Sequence, residues 1–300
     1  MVDFIHNNKD RYGVEAICRI LPIAASTYYR ALDLVDNPEH RAKRALHDLH
    51  HAEQIKRIWK ESLGRYGVRK VWQQLKREGY VIARCTVARL MQKLGIQGVW
   101  RGKNKQTTRS RDDQKRADDL VKRNFSADRP DQLWVSDFTY IQTHSGWVYT
   151  AFIIDVFSRA IVGWKVSTRM NTDMVLDALE QALHDRGMPK NVIHHSDRGV
   201  QYLSIRYTNR LDAANLRASV GTTGDSYDNA LAETVNGLYK TEVIEYLKAD
   251  WQGLADVQLA TLNWVDWFNK KRVHSALGYV SPFEFEAMYY DKINPLGQVA

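Results

Sequence analysis

The sequence predicts two parts: a basic helical front and an α/β back built on a five-stranded mixed sheet with flanking helices. Three observations predict this. Lys and Arg crowd residues 41 to 130, where long apolar runs are few. Beyond Pro130 the hydrophobic period changes from helical to alternating, and strand-like runs recur between single helices. An apolar content of 44% with 11% aromatic residues over 300 residues suffices to bury cores in both parts.

In YGVEAICRILPIAASTYYRAL, residues 12 to 32, Val14, Ile17, Ile20 and Leu21 have helical spacing, Pro22 interrupts it, and Ser26 can cap a second short helix. A second helix-turn-helix pattern follows at 64 to 96, with helices near 68 to 78 and 84 to 94 around a turn at Gly79. Its surface would carry Arg65, Arg69, Lys70, Arg84, Arg89 and Lys93. Either pattern alone is compatible with plain helical packing, but two in tandem, both arginine-rich, favour nucleic-acid binding. The expected segments are 1–45 and 46–105, then a basic linker at 106–130, a core with a helical extension at 131–290, and a tail at 291–300. The linker either follows a phosphate backbone or is simply solvated.

In the back half, QLWVSDFTYIQ (132–142), WVYTAFIIDVF (147–157) and AIVGWKVS (160–167) read as three hairpin-linked strands. Thr172 can cap the helix that follows, NVIHHSD (191–197) is a fourth strand parallel to an earlier one, and a helix near 204–214 leads to a short strand at 217–220.

The formal charge of +8 and a pI near 9.3 suit a polyanionic partner. Cys18 and Cys85 lie far apart in helical patterns, which argues against a disulfide framework and fits a reducing cytosol. No apolar run reaches the ~18 residues of a membrane span, and the start, MVDFIHNNKD, lacks signal-peptide character.

The stretch GDSYDNALAETVNGLYKTE, residues 224 to 242, opens with candidate caps Asp225, Ser226 and Asp228 and continues as a helix. At about 100° per residue, Asn229, Glu233, Asn236 and Lys240 share an arc of roughly 60°, opposite Leu231, Val235, Leu238 and Tyr239. A solvated face would explain that stripe. So would a chemical one: Asp137 lies midway along the first strand and Asp197 ends the fourth, so if those strands are neighbours the helix can bring Glu233 to both. Converging carboxylates repel unless cations lie between them. Oxygen-only donors with few protein contacts suit two Mg²⁺ ions, with Mn²⁺ as a substitute, and such a pair serves phosphoryl transfer.

WVSDFTYI, HHSDRGVQY and GDSYDNALAETVNGLYKTE resemble the three catalytic blocks of DDE transposases with a retroviral-integrase-like core. Asp197 follows Asp137 by 60 positions, and 35 residues separate Asp197 from Glu233. Together with RYGVRKVWQQL in front and FNKKRVHSALGYVSPFEFE (268–286) behind, the chain is most similar to the OrfB transposases of the insertion sequence 3 family. The resemblance implies a ribonuclease-H-like fold, two divalent metals held by Asp137, Asp197 and Glu233, and cleavage and joining of a bacterial element's ends through a 3′ hydroxyl. It implies terminal inverted repeats and target DNA as partners, a homo-oligomer on DNA, an OrfA product or OrfA-OrfB fusion, and a cytoplasmic, nucleoid-associated location.

Lys240, Asn229 and Asn236 are the candidate DNA contacts of the helix, and Arg198 and Gln201 those beside the second aspartate. Lys271, Arg272 and His274, with Lys270, are candidates behind the core. Ser281-Pro282-Phe283-Glu284 reads as a capping box, and Leu254, Val257, Thr261, Trp264 and Phe268 mark a core-packed helix. Of His194 and His195, at most one can approach the site, because neighbours on a strand face opposite ways. The competing readings are a non-catalytic DNA-binding regulator, which a missing carboxylate would favour, and a ribonuclease-H-like nuclease that cuts without joining.

Overall fold

The computed structural model describes residues 1–100, 121, 125–197, 199, 201–220, 230–247 and 249–294. Its N-terminal segment holds three helices, α1 (Val2–Tyr12), α2 (Val14–Ile20) and α3 (Ala25–Asp36), around a small core of Ile5, Ile17 and Tyr28. The break after Ile20 falls where Pro22 requires it. Ser26, expected to cap, lies inside α3, whose cap position is Ala24; the third helix therefore starts without a side-chain cap.

A second helical unit follows: α4 (Lys43–Glu61), α5 (Val68–Arg77) and α6 (Arg84–Lys93). The last two match the expected helix-turn-helix, while the long α4, too polar in sequence to stand out, buries only His51, Ile55 and Ile58 against them.

The back half is a five-stranded mixed sheet of β1 (Leu133–Thr143), β2 (Gly146–Asp155), β3 (Ile161–Ser167), β4 (Ile193–Ser196) and β5 (Arg217–Val220), in the order β3-β2-β1-β4-β5. The first three strands form an antiparallel meander, and β4 joins β1 in parallel with Ser136 beside Ser196. Helices α7 (Thr172–Asp185) and α8 (Ile205–Ala213) cover one face, through Trp134, Ile153, Leu179, Leu183 and Tyr207. Asn171, not Thr172, caps α7 by accepting from the Met174 N–H. Gly163 permits the closest approach of sheet and helix: a Cβ there would lie 2.2 Å from the Ala178 carbonyl oxygen.

On the other face lie α9 (Ala230–Tyr239), a π-helical turn (Lys240–Glu245) and α10 (Leu254–Lys270), which bury Val235, Tyr239, Trp264 and Phe268 against Val135, Phe152 and Ile154. Helix α11 (Pro282–Ile293) starts on the expected capping box, Ser281 accepting from Glu284 N–H and Glu284 accepting from Ser281 N–H.

The core on the α9 face continues without interruption into α4–α6. The Tyr66 hydroxyl donates to the Lys271 carbonyl (3.1 Å) and accepts from the Val273 N–H (2.8 Å). Arg65 donates to the Glu242 carbonyl (3.0 Å) with its guanidinium over the Trp267 ring, and Arg77 pairs with Glu284. Two expected DNA contacts are corrected by this packing. Arg65 is buried in the joint, and Arg272 is buried in a bidentate pair with Glu242, whose other oxygen also accepts from Trp264 Nε1. Among the described residues no helix is long and apolar enough to cross a membrane.

Candidate active site and nucleic-acid interface

Parallel pairing of β1 with β4 sets the site. With Ser136 opposite Ser196, continuing the register places Asp137 beside Asp197. Two-residue alternation turns both toward the face that α9 covers, since Val135 and Asp137 share a face, as do His195 and Asp197. Asp137 is gripped on both oxygens: Phe138 N–H donates to Oδ1 (2.8 Å) and Asn236 Nδ2 donates to Oδ2 (2.9 Å). Asp197 accepts from the Gly199 N–H (3.0 Å). A Cβ at Gly199 would sit 3.0 Å from that carboxylate, a tight contact that Asp197 would have to shift slightly to accommodate.

Burial pushes the Asp137 carboxyl up to about 8, the Asp197 charge adds to it, and the two hydrogen bonds only partly oppose it. Asp197 is raised as well, by burial, against the Gly199 N–H. The negative charge is therefore poorly compensated by protein dipoles. Glu233 lies exposed in the first turn of α9, near enough for its charge to raise Asp137 further. Among the described residues no three His, Cys, Asp or Glu side chains are grouped closely enough to hold one ion. Asp137 and Asp197 thus meet, while Glu233 faces outward beside them.

The expected stripe on α9 is divided. Ala232, Val235, Asn236 and Tyr239 form the buried face, which is rotated from the expected one so that it includes Asn236. Asn236 is 8% exposed, so its expected DNA contact is corrected to a clamp on Asp137; its Oδ1 has no partner. Lys240 is half-buried, with its ammonium 4.7 Å from the centre of the Tyr140 ring. Asn229, Arg198 and the candidate caps at 225–228 lie outside the described residues. Gln201 donates to the Met170 carbonyl at 3.4 Å. Arg69, Arg84 and Lys271 are exposed, and Lys70 and His274 are half-buried in a cleft. His194 packs on the far face against the Tyr207 hydroxyl (3.1 Å), while His195 pairs with Ser219 (2.9 Å) and Phe125. Tyr140 and Asn236's clamping role had no sequence signal, because each depends on which strand or helix passes opposite.

The fold and this pair of aspartates define a class, an integrase core behind a helix-turn-helix unit. Family models describe the same parts: "Integrase core domain" matches residues 127–226 and again, as a second model, 214–282, and "HTH-like domain" matches 47–104. The transposase for insertion sequence element IS629 of Shigella sonnei is 52% identical over 98% of both chains. The putative transposase for IS986/IS6110 of Mycobacterium tuberculosis is 49% identical over 90% of this chain and 97% of its own. Transposase InsF for insertion sequence IS3A of Escherichia coli K12 is 31% identical over 94% and 97%. The chain belongs to the OrfB transposases of the insertion sequence 3 family. Among solved structures, the magnesium complex of the HTLV-2 integrase catalytic core domain is similar at 18% identity and a TM-score of 0.43, covering 54% of this chain and 99% of that one.

Proposed function

We propose that this transposase is a polynucleotidyl transferase of the DDE type, which cleaves the ends of a bacterial insertion sequence and joins the freed 3′ hydroxyl to DNA using Asp137, Asp197 and Glu233. The observation that carries the reading is the pair of buried, poorly compensated carboxylates on adjacent parallel strands, with Glu233 on the helix above them. The residues fit a hard divalent cation: the donors are carboxylate oxygens, and the unpartnered Asn236 Oδ1 beside them offers an acceptor to a bound water. Mg²⁺, two ions with Mn²⁺ as substitute, would supply Lewis-acid stabilisation of the phosphodiester oxygens.

The chain's own residues do the rest. Asn236 and Phe138 N–H hold Asp137 in one orientation, and Gly199 N–H does so for Asp197. Glu233, in the first turn of α9, would be the third carboxylate ligand to the cation. Lys240 exchanges the Tyr140 ring for a phosphate, and Gln201, beside Gly199, makes a further DNA contact. Arg69, Arg84 and Lys271 contact duplex DNA around the core. The partners in this reading are the element's terminal inverted repeats, target DNA, a second copy of the chain on DNA, and the OrfA product or its fusion, in a cytoplasmic, nucleoid-associated setting.

Strand transfer on labelled candidate element ends with Mg²⁺ tests the reading, comparing this chain with its longer OrfA-OrfB form. Joined products that vanish in Asp137→Ala, Asp197→Ala and Glu233→Ala are expected. Cutting without joining would instead mark a nuclease, and DNA binding with neither activity a regulator.

A further inference from the structure

A cleft of about 510 Å³ lies where α5 of the helical unit, α9 and the turn after α10 meet. The flank of α9 and Phe268 make one wall apolar. The opposite wall carries Lys70, Arg159, Arg272 and His274. Arg272 is engaged by Glu242, and its Nη1 edge lies 3.3 Å from the His274 ring. Lys70 and Arg159 have no such partner: among the described residues neither forms an ion pair, and the Lys70 ammonium rests 5.1 Å from the centre of the Tyr66 ring.

The acids facing this wall are already occupied. Glu242 accepts from Arg272 and Trp264, and Asp155, behind Arg159, accepts from the Ser158 and Asp131 N–H groups. Burial and Arg272 press the Lys70 amine down to about 7, and burial with the three surrounding cations presses His274 down to about 2. Half-buried cations without anions are costly unless an anion arrives. At the mouth, Thr234, Ser275 and Ala276 are open to solvent, and Thr234 is the residue after Glu233.

We propose that this cleft is a phosphate pocket that receives a backbone phosphodiester of the DNA held at the carboxylate site, gripped by Lys70 and Arg159 with Arg272 and His274 behind them. The apolar wall would face the adjoining sugar. The inference rests on the transposase reading for the identity of the polyanion. It makes the joint between the helical unit and the core part of the DNA path, through Arg159 of the core and Lys70 of the helical unit.

The test is duplex binding by the full chain in EDTA, by fluorescence anisotropy over a salt series, for the wild type, Lys70→Gln, Arg159→Lys and Arg159→Gln. Each lost phosphate contact should lower the slope of log affinity against log salt by about 0.9, with a several-fold loss of affinity. Arg159→Lys should retain part of it. Lys70→Gln should melt no lower than the wild type, because it removes an unpaired charge, so misfolding would not explain the loss. DNA should also protect Lys70 from amine-modifying reagents, whereas inorganic phosphate or a mononucleotide at the same phosphate concentration should not. An unchanged salt slope in Lys70→Gln and Arg159→Gln overturns the pocket, and equal protection of Lys70 by inorganic phosphate overturns its assignment to a DNA phosphodiester in favour of a free-anion site. Strand transfer is scored separately: a changed slope without joining retains the pocket and removes the catalytic reading, while joining with an unchanged slope does the reverse.

Discussion

Asp137 carries two opposed demands. In the proposed reading it must be ionised to hold a cation, yet burial and Asp197 favour its neutral form. Asp137→Asn keeps the shape and removes the charge, so we expect joining to be lost while the melting temperature of the metal-free chain rises by a few degrees; calorimetry beside a strand-transfer assay checks both. A variant that melts lower would show the carboxylate to be stabilising as it stands. Asn236 acts through Asp137. Asn236→Ala frees Oδ2, and by the usual cost of losing a hydrogen bond to a ligand the Mg²⁺ requirement should rise about 10- to 100-fold. Recovery of rate at high Mg²⁺, with an unchanged fold, would separate this positioning role from a structural one.

Among the elements, the π-helical turn is the joint of the molecule. Its wider winding turns three consecutive residues inward, Thr241, Glu242 and Val243, and Glu242 meets Arg272 and Trp264 while its carbonyl takes Arg65. One residue thus connects the end of the α9 helix and the segment after α10 through its carboxylate, and the helical unit through its carbonyl. Glu242→Ala leaves the Arg272 guanidinium buried without an anion, so about 3–5 kcal/mol should be lost, visible as a lower denaturant midpoint. At the opposite face, Gly163→Ala drives a methyl into the Ala178 carbonyl. Overpacking of this kind costs about 1–3 kcal/mol, and a midpoint equal to wild type would mean that α7 can move off the sheet.

Across the whole molecule, pH acts through groups of opposite sign. His194 and His274 are pressed by burial from 6.5 to about 3 and about 2, so they are neutral in the fold but charge in the unfolded chain; the stability they lend is present above about 6.5 and is lost as pH falls toward their folded values. Asp137 is raised from 3.8 to about 8, so its contribution is present at acid pH and is lost as pH rises toward 8. Asp155, raised to about 6, acts in the same direction as Asp137, and Lys70, pressed down to about 7, acts against it above that pH, so the Asp137 share is read from the difference in stability between wild type and Asp137→Asn, which should fall as pH rises from 3.8 toward 8. Saturating Mg²⁺ should flatten that fall, which denaturant midpoints of the two chains across the range will show.

Much of this was legible in one dimension. Alternation marked the strands, the 3.6-residue period marked α5, α6, α9 and α10, and Ser281 with Glu284 marked the start of α11, because each rests on neighbours within a few positions in the chain. Spacing singled out Asp137, Asp197 and Glu233. What the chain could not reveal locally was direction after docking. Arg65 and Arg272 look like surface cations in sequence, yet the packing of the helical unit against the core buries them and Glu242 receives them. Asn236 looked like a DNA contact until the rotation of α9 turned it onto Asp137. The sequence by itself determined which elements form and where each carboxylate falls along its own strand or helix. Only the tertiary structure decided which charges lie buried in a joint, which clamp a neighbour and which stay exposed, because desolvation and pairing depend on what packs opposite, from as far as 207 positions away in the chain.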